Sequence, residues 1–227
     1  AESILDDARG SGVMSAVGQC GEEGAAPFTP WVDVLRQLRS GLAPPAWEAA
    51  VADAGYGIAL LLGAGIGADH DDGREGAAHL HFRLADAVAR VVGAVADTAP
   101  VVVLLEDAQW ADPSSLLALG RLARRVRRTS LLLLATCRTP HAGRERSAER
   151  ALAELGSGHG SRILHLGGLA PAETRALVVR RAGRAVSEEE ARQIHADSGG
   201  VPLFVEQLVA ARGCGPAPPP ADGELPR

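Results

Sequence analysis

Glu106 and Asp107 are the residues in this chain best placed to do chemistry. They follow five aliphatic residues, 101–105, in the run VVVLLEDAQWAD. Five such residues in succession predict a strand buried on both faces, which belongs in a parallel sheet covered by helices. In open α/β sheets, ligands bind beyond the carboxyl ends of the strands. Two adjacent carboxylates at that edge could hold a magnesium ion and orient an attacking water for phosphoryl transfer. A buried strand ending in two solvated acids is the alternative.

The elements around this pair are legible as periodicities. Residues 1–9 predict the end of a helix, stopped by Gly10 and Gly12. A weak strand is predicted over 13–17, and a helix opening at Pro30 with Thr29 as its cap. Within 41–77 only a short helix at 45–53 and a short apolar stretch at 58–62 are indicated. Leu80, Leu84, Val88, Val91, Val92 and Val95 recur at helical spacing and predict a helix over 78–96. Pro113 starts the next helix, with Asp112 as its cap. Residues 131–137 predict a second buried strand, followed by a helix at 146–155 and a short strand at 162–166. This alternation implies an α/β core with a parallel sheet and right-handed crossovers.

From Pro171 the pattern is purely helical, with helices predicted at 171–182, 187–197 and 202–211. Ser187 and Glu190 form a capping-box signature. The chain thus divides into a core over 1–168, a helical lid over 169–212 and a Pro/Gly-rich linker over 213–227.

Composition removes several classes of function. The 227 residues carry 28 acidic and 23 basic side chains, a net charge of −5, which argues against a dedicated nucleic-acid-binding surface. No apolar run approaches the ~20 residues that span a bilayer. Cys20, Cys137 and Cys214 are widely separated and odd in number, so neither a disulfide framework nor a zinc site is expected, and a reducing cytoplasm fits best. Every one of the 23 basic residues is arginine. A phosphate-binding loop, G-x-x-x-x-G-K-S/T, needs a lysine to reach the β- and γ-phosphates. Gly63-Ala64-Gly65-Ile66-Gly67 lacks that lysine and runs into Asp69, His70, Asp71 and Asp72, so it is expected to be a loop, not a phosphate cradle or metal cluster. Arg121, Arg124, Arg125, Arg127 and Arg128 form the one dense basic patch and are expected to be a solvated helix face.

The continuation Ala108-Gln109-Trp110-Ala111-Asp112-Pro113-Ser114 carries a family resemblance. With the preceding strand and acids it resembles the Walker B region of the ATPase module of large ATP-binding LuxR-type transcriptional regulators. These are a branch of the signal-transduction (STAND) ATPases related to AAA proteins. Glu106 stands where that family usually has aspartate. The resemblance implies a P-loop NTPase-like parallel sheet sandwiched by helices and followed by a small helical lid, with ATP and Mg2+ as cofactors. Glu106 would help hold the metal, Asp107 would orient the hydrolytic water, and Arg138 would sense the γ-phosphate. A surface arginine at a strand end is the alternative for Arg138. Gly200-Val201-Pro202 resembles the family's Gly-x-Pro lid motif, with Val201 a departure from the usual asparagine. Pro202 could pack on adenine, although helix initiation alone explains the motif.

In that family the strand order is 5-1-4-3-2, with the P-loop strand central. The strand missing here is that one, which leaves 131–137 and 162–166 without the neighbour that joins them. The chain is therefore expected to be a fragment of a larger regulator, poorly stable and weak in nucleotide binding by itself. Two functions remain open. One is a nucleotide-dependent switch domain of a signalling regulator, with DNA contacted only through a region outside this chain and self-association possible. The other is a non-enzymatic interaction module of P-loop ancestry. A cyclase-linked regulator with the same module would share these features.

Overall fold

The computed structural model of the chain describes residues 2–21, 26–63, 76–138, 147–158 and 160–212. These fall into two compact units, Ala1–Ile163 and Leu164–Arg227. In the first, α1 (Glu2–Gly10), β1 (Met14–Gln19), α2 (Thr29–Gly41), α3 (Pro44–Val51), α4 (Gly55–Leu61) and α5 (Ala77–Thr98) precede β2 (Val101–Glu106). After it come α6 (Pro113–Ala123), β3 (Leu131–Ala135) and α7 (Ser147–Gly156). The sheet is parallel, in the order β1-β2-β3, with Gln19 level with Glu106 and Leu105 level with Ala135. An α/β architecture with a parallel sheet flanked by helices is thus present.

Alternation along β2 builds the core. Val101, Val103 and Leu105 point into a large cluster with Trp31, Val34, Leu35 and Leu38 of α2, Val88, Val91, Val92 and Val95 of α5, and Leu119 and Leu122 of α6. Val102 and Leu104 point to the opposite face, where they meet Leu5 of α1, flanked by Ala8, Val13, Val17 and Leu134. One face is therefore covered thickly and the other by a single short helix. Successive side chains of a strand take opposite faces, so the residue after Leu105 faces the α1 side.

Several boundaries differ from expectation. Residues 131–137 form a shorter strand ending at Ala135, and it is not fully buried, since Leu132 is 47% exposed. Residues 162–166 are not a strand at all, and Leu166 is 92% exposed. A strand persists only with a ladder partner, and among the described residues β3 pairs with β2 alone. The weak strand predicted over 13–17 runs instead from Met14 to Gln19, and the apolar stretch at 58–62 lies largely within α4. The cap of α2 is Phe28, not Thr29. Phe28 takes the left-handed conformation, φ 65°, is buried, and meets His81 edge-to-face at 6.0 Å. Arg121 is not part of a solvated face. Its guanidinium lies 3.7 Å from the Phe82 ring centroid and bonds Asp86 at 2.7 Å. The glycine-rich segment after Gly63, Asp69–Asp72 with His70, and the linker over 213–227 lie outside the described residues.

The second unit holds α8 (Pro171–Ala182), α9 (Glu188–Ser198) and α10 (Pro202–Ala211) around Leu177, Val178, Ile194, Val205 and Val209. Ser187 accepts the Glu190 N–H at 3.1 Å at the start of α9, as the capping signature predicts. Buried Thr174 and His195 Nδ1 are 2.9 Å apart and join α8 to α9. No helix among the described residues is long and apolar enough to cross a membrane.

Asp112 is the principal polar tie in the first unit. Its carboxylate accepts from the backbone N–H of Ser114 and Ser115 at 2.9 and 3.0 Å, from the Ser115 hydroxyl at 2.5 Å, and from the Phe28 N–H at 3.3 Å. It caps α6 and pins the entry to α2. Asp112→Ala should lower unfolding stability by about 2 kcal/mol, the upper end for a lost cap, with Asp112→Asn losing less. Urea denaturation checks this, and equal stability of the alanine variant and wild type would contradict it.

Candidate functional site

The site forms where β2 ends. Glu106 is the last residue of the strand, and its carbonyl oxygen accepts the Cys20 N–H at 3.0 Å, extending the ladder past β1. On the α1 side, Glu106 lines a shallow pocket of about 250 Å³ together with Leu5, Asp6, Arg9 and Val17. Asp107 then leaves the strand direction. Its backbone takes φ 52° and ψ 43°, the left-handed region. Outside glycine that region is uncommon, and aspartate tolerates it better than most residues. Such backbone geometry, held in place by its surroundings, clusters at functional sites.

Asp107 is held by four groups. Its N–H donates to Thr136 Oγ1 at 3.1 Å, just beyond β3. Gln109 Nε2 donates to Oδ1 at 2.9 Å, and Gln19 Nε2, at the end of β1, to Oδ2 at 3.4 Å. Arg138 Nε forms an ion pair with Oδ1 at 3.4 Å. Gln109 also accepts the Arg138 N–H at 3.1 Å through Oε1. Groups from all three strand ends therefore meet at this residue. The Arg138 side chain is 75% exposed and that of Asp107 32%. Exposed pairs of this kind contribute about 0–1 kcal/mol, so a phosphate, which offers guanidinium more charge and bidentate geometry, can displace the carboxylate.

Of the residues predicted from sequence, Glu106, Asp107 and Arg138 lie at this edge. Glu106 faces α1, while Asp107 turns to Arg138. Gly200 and Pro202 lie in the second unit. Gly200, φ 74°, accepts the Leu169 N–H on its carbonyl at 2.7 Å, and a side chain there would strike the Leu169 carbonyl oxygen. Pro202 occupies the exposed first turn of α10. Gln19, Gln109 and Thr136 were not predicted. Gln109 had a faint signal, two positions after the acid; Gln19 and Thr136 come from distant strand ends and had none.

A family model, AAA ATPase domain, matches residues 1–134. The chain belongs to that family. No curated protein and no solved structure gives a significant match. The matched residues of this AAA ATPase domain contain all of β1 and β2, hence Glu106 and Asp107, while Arg138, Gly200 and Pro202 fall beyond them. Membership supports nucleotide binding with ATP and Mg2+. The donor chemistry fits, because magnesium takes oxygen ligands, commonly one or two carboxylates with water, and Glu106 and Asp6 both line a pocket open to solvent.

Cys20 reports on the same edge. Burial pushes its thiol up from 9.0 to about 11, and the carboxylates of Asp112 and Asp107 add to the effect. A thiol whose folded pKa is raised contributes stability that is fully present below the unfolded value and lost as pH rises through the folded one. Unfolding stability should therefore fall between pH 9 and 11, and Cys20→Ala should remove part of that fall. Urea titrations of both proteins across this range test it, and identical pH profiles would refute it.

Proposed function

We propose that this chain is the core and lid of an ATP-dependent switch in a signalling or transcriptional regulator of the LuxR-type, STAND branch. The observation that carries the reading is the junction at the end of β2, where Glu106 faces the α1 pocket and Asp107 turns to Arg138. Glu106 would hold Mg2+, through water, and when bound that ion would neutralise phosphate charge. Asp107 orients the hydrolytic water and takes its proton. Arg138 senses the γ-phosphate, leaving Asp107 for the more highly charged partner. Gly200 keeps the turn before α10 tight, and Pro202 offers an exposed apolar ring for the nucleotide base.

No lysine occurs in residues 1–227. The P-loop lysine that this chemistry needs would come from outside them, on a strand laid along the edge of β3 that has no strand partner among the described residues. The exposure of Leu132 on β3 supports such a neighbour. DNA would be contacted through a further region outside the chain, in a cytoplasmic protein that can self-associate.

The reading is tested in the regulator that carries these residues together with its P-loop. Asp107→Asn should lower ATP turnover about 10²-fold or more, the range for general-base loss, while leaving ATP binding intact. Arg138→Ala should narrow the preference for ATP over ADP, measured by calorimetry. Unchanged turnover in the Asp107→Asn protein would overturn the hydrolytic role and favour an interaction module that has lost its phosphate chemistry.

A further inference from the structure

We propose that Gln109 is a positioning residue that keeps Asp107 oriented when Arg138 turns to the nucleotide; this rests on the hydrolytic role of Asp107 given above. Gln109 is buried at 5% exposure within the short 3-10 turn Ala108–Trp110 that follows the acid. Both ends of its amide are committed. A carboxylate only accepts and a backbone N–H only donates, so Nε2 must face Asp107 and Oε1 must face the Arg138 N–H. No other orientation of the amide satisfies both.

The same carboxylate oxygen, Oδ1, receives Gln109 at 2.9 Å and the Arg138 guanidinium at 3.4 Å. The guanidinium is on an exposed, flexible side chain, whereas the Gln109 amide is buried and anchored to backbone. When the guanidinium leaves for phosphate, Oδ1 keeps its Gln109 bond and Oδ2 keeps the weaker one from Gln19 at 3.4 Å. The backbone of Arg138 stays tethered through Oε1, so its side chain swings from a fixed point. Gln109 thus separates two motions that would otherwise disturb each other: the arginine moves, and the acid does not.

The test is steady-state ATP hydrolysis by the full regulator. Gln109→Met keeps the volume and removes both hydrogen bonds. It should lower kcat by up to about 100-fold, the scale of a small misplacement of a reacting group, with KM for ATP unchanged. In the Asp107→Asn background it should cost nothing further, because it acts through that acid. Gln109→Glu keeps the acceptor for the Arg138 N–H but sets a carboxyl against Asp107. Its kcat should be low at neutral pH and recover toward wild type as pH is lowered, when the introduced carboxyl gains a proton to donate. If the Met variant does not fold, this recovery decides the matter, and a Gln109→Glu pH profile parallel to wild type overturns the proposal. So does an unchanged kcat in a folded Gln109→Met protein whose Asp107→Asn counterpart is inactive. Unchanged turnover in Asp107→Asn itself marks the failure of the hydrolytic reading instead.

Discussion

The first unit depends on β2 being paired on both edges and buried on both faces. Its backbone groups go to β1 and β3, and buried backbone groups without partners would cost as much as lost hydrogen bonds. Its side chains pack against α1 on one face and against α2, α5 and α6 on the other. Moving its register by one residue would exchange Leu104 with Leu105 and send each into the wrong layer. The same constraint positions the candidate site. A strand so tightly placed delivers Glu106 and Asp107 to a defined point, and the pleat decides which face Glu106 takes.

What happens beyond β2 is a change from apolar to polar control. Asp107 adopts a left-handed backbone, and a set of hydrogen bonds from Gln19, Gln109, Thr136 and Arg138 compensates for it. A few residues later Asp112 gathers Phe28, Ser114 and Ser115 and so aligns the starts of α2 and α6. Trp31 Nε1 reinforces this by donating to the Ser115 carbonyl at 3.0 Å. The two aspartates divide the work. Asp112 spends its acceptors on local structure, whereas Asp107 holds Arg138 in an exposed ion pair alongside its amide partners.

Close approach of backbone shapes both units. Gly18 lies against the Pro30 backbone, where any side chain would collide, so β1 can pack directly on the first turn of α2. Gly200 plays the corresponding part beside Leu169 in the second unit. The motif at 200–202 therefore has a sound structural basis in its glycine.

Much of this could be read from the amino-acid order. The aliphatic run at 101–105, the acids that follow, the helical periodicity of α5 and the Asp112-Pro113 start of α6 are all encoded within a few neighbouring residues, and local physics is enough to interpret them. Arg138 and Asp107 were also identifiable singly. Their pairing was not, nor were the roles of Gln19, Gln109 and Thr136, because parallel pairing brings together strand ends separated by long crossovers. The apparent strand at 162–166 failed for the converse reason. Its residues have the apolar character of a strand, but a strand is a property of two chains side by side, and tertiary structure alone decides whether the second one is there.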